Sequence, residues 1–202
     1  MPTYATSSDR AFLERNSRLD ADLALAALES GIEADDITYA FSVAVTPDDW
    51  AAAHAVGLAR TALAKTRGRY SSAYRRGADD ERIDTEGAIA EIALYAVLDR
   101  SEALTAPLVT YRPEPAADLE FEGYSFDVKS VSQSKTRVCI NARAHNSRPV
   151  SAYVLARITS ERVIDVYVVG HAAVDRWRLA QGHSPYYTSP MPPAPPFPLA
   201  ED

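Results

Sequence analysis

The stretch ADLEFEGYSFDVKSV, residues 117–131, alternates apolar and polar positions along most of its length. A period of two places Tyr124, Phe126 and Val128 on one face of a strand, and Ser125, Asp127 and Lys129 on the other. Glu122-Gly123 supplies a turn, so the stretch predicts a hairpin with strands at 118–121 and 124–131. Upstream, ITYAFSVAV at 37–45 alternates large with small residues and predicts another strand. Further strands are expected near 108–112, 137–142, 151–158 and 162–169.

Helical signals lie mostly in the first half. A helix is expected from about Asp9 to Ser30, with Ser7 or Ser8 as cap and Gly31 as stop. Thr46-Pro47-Asp48-Asp49 combines a capping hydroxyl, a proline in the first turn and acids at the positive end of the dipole. That helix should run to about Lys65, and RGRYSSAYRRG at 67–77 then predicts a loop. A second strong helix covers about 84–98, and a short one, 171–180, follows Gly170. Residues 1–7 read as frayed. Seven of the thirteen prolines fall between Pro185 and Pro198. This tail is expected to be extended and partly polyproline-like, neither helix nor central strand, with Tyr186, Tyr187 and Phe197 latching it to the body.

Together these elements predict an α/β fold: a central mixed β-sheet flanked by helices, with an N-terminal helical extension. The expected division is 1–46 for the extension, 47–184 for the domain and 185–202 for the proline-rich tail.

One helix carries an acid that its pattern does not explain. TEGAIAEIALYAVL, 85–98, is apolar nearly all round, which marks a buried helix. Glu91 sits in it with Gly87, Leu94, Tyr95 and Leu98 as helical neighbours. A carboxylate in that company is costly unless it is paired or bound to a metal. Gly87 costs about 1 kcal/mol of helix propensity relative to alanine and suggests close packing there. Glu86 lies in the first turn of the expected helix, where interaction with the dipole is reason enough for it.

Bulk properties narrow the class. The 202 residues suit one good-sized domain, and no apolar run approaches the ~20 residues of a membrane helix. One cysteine, Cys139, allows no internal disulfide or thiolate cluster, and a cytoplasmic protein is expected. The formal charge of −7 argues against a protein that coats nucleic acid by bulk positive charge. It leaves open an enzyme that grips phosphate locally with the help of metal ions. Of the 21 basic residues only Lys65, Lys129 and Lys135 are lysines, so the lysine in FDVKS stands out.

Taken singly, these residues have ordinary readings: a snorkelling glutamate, a strand-start aspartate, a surface ion pair. Their order is less ordinary. Glu91 on a helix, Asp118 before a hairpin, and Asp127-x-Lys129 on its second strand resemble the PD-(D/E)XK nuclease superfamily over residues 84–170. The proline of the family's name stands here as Pro115, three residues before the aspartate. The resemblance implies a restriction-endonuclease-like core and a metal-dependent DNA nuclease, an endonuclease rather than an exonuclease, yielding 5′-phosphate and 3′-hydroxyl ends. It implies a Mg²⁺ ion, for which Mn²⁺ can substitute, held by Asp118, Asp127 and the Val128 carbonyl, with Glu91 completing the first or second shell or helping with a second metal. Hard oxygen ligands suit that ion. Lys129 would orient or deprotonate the attacking water, a task arginine cannot share because it keeps its proton.

DNA is the expected partner, a membrane is not, and a homodimer is compatible with the chain. Candidate phosphate contacts are Arg69, Arg75 and Arg76 in the loop, and Gln133, Arg137, Arg143, His145 and Arg148 beyond the lysine. Two alternatives share the fold: a non-catalytic DNA-binding or protein-interaction module, and an RNA-directed nuclease. His145-Asn146 hints at an HNH-type metal finger, but no properly spaced second histidine motif follows. His54, His171 and His183 are expected to be structural or solvated.

Overall fold

The structure is a computed structural model and describes residues 21–66, 78–98, 117–132, 134–147, 150–182 and 185–193. The expected strand at 108–112, the loop 67–77 and the helical residues before Ala21 lie outside these. Thirteen elements follow in order. They are α1 (Ala21–Ser30), β1 (Thr38–Ala44), α2 (Pro47–Thr66), α3 (Ala78–Val97), β2 (Leu119–Phe121), β3 (Tyr124–Ser132) and β4 (Arg137–Asn141). Then come α4 (Ala142–Ser147), β5 (Ala152–Ser160), β6 (Val163–Gly170), α5 (His171–Val174), β7 (Arg178–Ala180) and β8 (Tyr186–Pro190).

Five strands form a mixed sheet in the order β1-β6-β5-β3-β2, with β3 and β5 parallel and the other pairs antiparallel. Alternation divides its side chains between two cores. Phe126, Val128, Val154, Val166 and Val168 pack with Leu28, Ile89, Ile92 and Leu94 of the helices. Val131, Tyr153, Leu155, Tyr167 and Val169 pack on the other face with Val138 and Ile140 of β4 and Met191 after β8. Because β6 is covered on both faces, all eight of its residues are buried. Among the described residues, no helix is long and apolar enough to cross a membrane.

Local chemistry accounts for most boundaries. Thr46 and Asp49 cap α2 reciprocally: the Asp49 N–H donates to Thr46 Oγ1 at 3.2 Å, and the Thr46 N–H donates to Asp49 Oδ2 at 2.8 Å. The β2–β3 turn uses Glu122 at φ 46° and Gly123 at φ 89°, the paired positive values that match a two-residue turn to strand twist.

Three expectations need correction. Helix α3 begins at Ala78, six residues before the expected Asp84. Tertiary contacts to α2 hold this extra length, with Thr61 Oγ1 donating to Asp84 at 2.7 Å and His54 3.4 Å from Glu81. The helix expected over 171–180 stops at Val174, and Arg178–Ala180 forms β7 instead, because β8 offers it a partner. The tail does contain a central strand: β8 lies between β4 and β7 in a second, three-stranded sheet. Its prolines explain how this is tolerated. Pro185 precedes the strand and Pro190 ends it, so the residues paired on both sides, Tyr186–Thr188, keep their N–H groups. Of the three aromatics expected to latch the tail, Tyr187 packs on the second core, Tyr186 is exposed and Phe197 lies outside the described residues; Thr188 and Met191 are buried as well. Across the expected boundary at residue 47, β1 pairs with β6 along most of its length.

The glycines at the α2–α3 crossing also differ from expectation. A Cβ on Gly87 would meet Arg60 Nη1 at 3.6 Å, an ordinary contact. The tight approach is at Gly57, where a Cβ would lie 2.8 Å from the Thr85 backbone nitrogen and 2.9 Å from its Cα. Gly57→Ala is therefore expected to lower stability by about 1–3 kcal/mol through forced separation of the helices. Gly87→Ala should be neutral or stabilising by up to about 1 kcal/mol. Urea unfolding of the two variants beside wild type checks both signs.

Candidate active site

The site begins with a strand that stops early. β2 pairs with β3 only from Leu119↔Phe126 to Phe121↔Tyr124, and the Asp118 N–H still reaches the Phe126 carbonyl at 3.0 Å. At the next rung the side chain takes over: the Val128 N–H donates to Asp118 Oδ2 at 2.8 Å. Asp118 is thereby fixed at the sheet's edge beside Asp127. Helix α3 pins it from the other side, where the Tyr95 hydroxyl donates to the Asp118 carbonyl at 2.6 Å.

Asp127 is 4% exposed and lies on the strand face away from the α3 stripe, while its neighbour Val128 packs toward α3. Lys129 Nζ donates to Asp127 Oδ1 at 2.5 Å and approaches the Val128 carbonyl at 3.4 Å. The Asp118 and Asp127 carboxyls are close enough for each to disfavour ionisation of the other. Burial first, then the hydrogen bond and charge of Asp127, push Asp118 up to about 7. Lys129 pulls it down and Glu91 pushes it up, so each of the other three residues lies within electrostatic reach of Asp118.

Glu91 meets this group from α3, but its carboxylate is taken. Arg60 Nη1 donates to Oε1 at 3.0 Å and Nη2 donates to Oε2 at 2.8 Å, a two-pronged ion pair that is mostly buried. Burial alone would pull the Arg60 guanidinium down. The hydrogen bonds and charge of Glu91, with Asp118 and Asp84 further off, outweigh it and move the group upward. Sequence reasoning predicted that Glu91 needs a partner and missed Arg60. The one signal available was the buried crossing of α2 and α3, because Arg60 is otherwise one arginine among eighteen. Glu86, one turn before, reaches Ser132 Oγ at 3.4 Å.

The structure therefore brings together Asp118, Asp127, Val128, Lys129 and Glu91. Of the proposed phosphate contacts, three are described: Arg137, Arg143 and His145, the last of them buried. Arg137 donates to Thr188 Oγ1 at 3.2 Å in the second sheet, and Arg143 is exposed on α4. Arg69, Arg75, Arg76, Gln133 and Arg148 lie outside the described residues.

A second cluster of polar groups lies under β5 and β8. Among the described residues, the three metal-ligand types whose atoms all fall within 4.8 Å of one another are His145, His171 and Asp175 rather than the carboxylates. Their geometry is that of a hydrogen-bonded stack. Buried His145 bonds the Tyr153 hydroxyl at 2.9 Å through Nδ1 and Asp175 at 3.0 Å through Nε2. His171 lies flat on it, with ring centroids 4.0 Å apart and planes 14° from parallel. A ligated metal sits in the plane of each imidazole, and parallel planes this far apart share no such point. The cluster reads as structural.

Compared with protein-family models, characterised proteins and solved structures, the chain matches none.

Two outcomes follow. The folded chain holds the Asp118 proton more tightly than the unfolded chain. Its contribution to stability is thus fully present below the ordinary carboxylate range near 4 and is lost as pH rises through about 7. In EDTA, Asp118→Asn should match wild type near pH 4 and exceed it by roughly 2–4 kcal/mol near pH 8. Parallel stability curves for the two proteins, measured by urea unfolding, would show that the carboxyls do not interact. In the second cluster, His145→Ala should cost about 2–4 kcal/mol, since it removes the hydrogen bond to the Tyr153 hydroxyl and empties a packed site. Zn²⁺ should leave the wild-type Tm unchanged, and a rise that disappears in His171→Ala would make the stack a metal site.

Proposed function

We propose that this chain is a metal-dependent phosphodiesterase acting on DNA, built on a restriction-endonuclease-like core. The observation that carries the reading is the forced contact of Asp118 and Asp127 at the sheet edge, with Lys129 bound to one of them. Two carboxyls held this close favour any cation that can replace the proton on Asp118. The donor set fits a hard divalent ion: two carboxylates and the Val128 carbonyl, all oxygen. Such an ion, when bound, supplies Lewis-acid polarisation of the phosphate and of a water molecule.

The chain's own residues supply the rest. Asp118 and Asp127 hold the cation, and Tyr95 and the Val128 N–H keep Asp118 in place for it. With a cation on the aspartates, Lys129 is no longer the main neutraliser of Asp127. Its ammonium then stands next to the site, able to orient the attacking water and exchange a proton with it. The sheet order, the helix that contributes Glu91 and the Asp-x-Lys strand support the restriction-endonuclease-like assignment. Mg²⁺ is the expected ion and Mn²⁺ a substitute. The net charge of −7 favours the non-catalytic module as the second reading.

The deciding experiment incubates purified protein with linear, circular and single-stranded DNA and with RNA, in Mg²⁺, Mn²⁺ or EDTA. Cleavage of circular duplex that requires the metal is expected. RNA cleavage alone would reassign the substrate, and binding without cleavage would favour the module. Lys129→Ala should then lose cleavage by at least about a hundredfold while keeping its affinity for Mn²⁺. Lys129→Arg should fail as well, because arginine keeps the charge but not the exchangeable proton. Rescue by arginine would make the lysine a phosphate contact. An active alanine variant would reduce it to a surface-type ion pair worth about 0–1 kcal/mol.

A further inference from the structure

We propose that Arg60 stands in for a second metal ion, so that the site loads one divalent cation and not two. The inference rests on the phosphodiesterase reading above. Glu91 is the third carboxylate of the cluster, and by composition the site is equipped for a pair of ions bridged by acids. Its two oxygens, however, each accept from a different nitrogen of the same guanidinium, at 3.0 and 2.8 Å. A planar fork on a planar carboxylate occupies the inner pair of lone-pair directions, through which a metal would chelate, and neutralises the charge that would attract one. Arg60 also feels the charges of Asp118 and Asp84, so it belongs to the same electrostatic unit as the proposed metal ligands.

Formal charge supports the same count. With a cation displacing the proton from the aspartates, Glu91, Asp118 and Asp127 would carry three negative charges against the two positive ones of Arg60 and Lys129. One divalent ion takes the net from −1 to +1, which matches the single negative charge of one phosphodiester. A second would take it to +3 within a half-buried site, where excess charge of one sign is costly. Arg60 is held rigidly for the part: it rises from α2 across the close crossing at Gly57, and Gly87 leaves its guanidinium room. An arginine cannot dissociate or exchange as an ion does, so this positive charge is permanent. Arg60 is thus a positioning residue. It keeps Glu91 from the metal, and it presents a fixed cation beside the bound phosphate.

The test is the stoichiometry and affinity of Mn²⁺, read by calorimetry and by the loss of free-ion paramagnetic resonance signal. Wild type is expected to bind one Mn²⁺ per chain at this site, with binding abolished by Asp127→Asn. Arg60→Gln frees Glu91 and is expected to bind two. Glu91→Gln keeps a carbonyl acceptor for Arg60 and is expected to hold one Mn²⁺ within about threefold of the wild-type affinity. A ligand role for Glu91 would instead weaken binding by at least about tenfold. Two ions in wild type, one ion in a folded Arg60→Gln, or a tenfold loss in Glu91→Gln each overturn the proposal while leaving a metal-dependent phosphodiesterase in place. No site-specific Mn²⁺ binding by folded wild type overturns the parent reading with it. If Arg60→Gln fails to fold, Glu91→Gln decides alone.

Discussion

Two like charges cannot be crowded together in a protein unless something else holds the backbone that carries them. Here the hold is on Asp118. The Val128 N–H, the Phe126 carbonyl and the Tyr95 hydroxyl each fix a different part of this one residue. Those bonds are made by main chain and by a buried tyrosine, and none of them yields to repulsion between carboxyls. The result is a side chain that must face Asp127 whether or not a cation is present. Holding a proton up to about pH 7 relieves the crowding when no cation is bound, and the proposed cation would relieve it in its place.

Glu91 shows the opposite solution to the same problem. Buried among apolar neighbours on α3, it is neutralised outright by a guanidinium from α2. The cluster therefore contains one acid pair with a mobile counter-charge and one acid with a permanent counter-charge. The difference follows from geometry. The sheet edge is open enough for Lys129 to be about a third exposed, whereas the Arg60–Glu91 pair is wedged between two helices.

Much of this was legible in the sequence, for identifiable reasons. Alternation in 117–131 gave the hairpin and the facing of Asp127 and Lys129, because period two leaves little freedom once one face is buried. Apolar residues all round 85–98 showed that Glu91 needed a partner. The pattern could not say which, since a pairing across helix axes depends on a crossing that only Gly57 marks. The start of α3 was missed because the contacts that hold its first turns are tertiary. The central place of β8 was missed because proline content was read over the whole tail, although the prolines bracket the strand rather than interrupt it. The His145 stack was invisible because its members come from α4, β5, α5 and the turn after it, and no spacing connects them.

The middle position of β8 has a consequence for how the molecule is assembled. β4 and β7 do not touch each other, and both hydrogen-bond to a strand that follows them in the chain. Until residues 186–190 arrive, each is an open edge, and the core beneath them, which includes Tyr153 and Tyr167, lacks the cover of Tyr187 and Met191. β8 therefore works as a keystone: it is the ladder partner of both β4 and β7, and with Met191 it covers one face of the main sheet. The same segment supplies carbonyls, at Pro192 and Pro193, to Arg157 and Tyr167 of the central strands. The sheet edge that carries the carboxylates and the strand that locks the far face are thus parts of one cooperative unit, joined through β5.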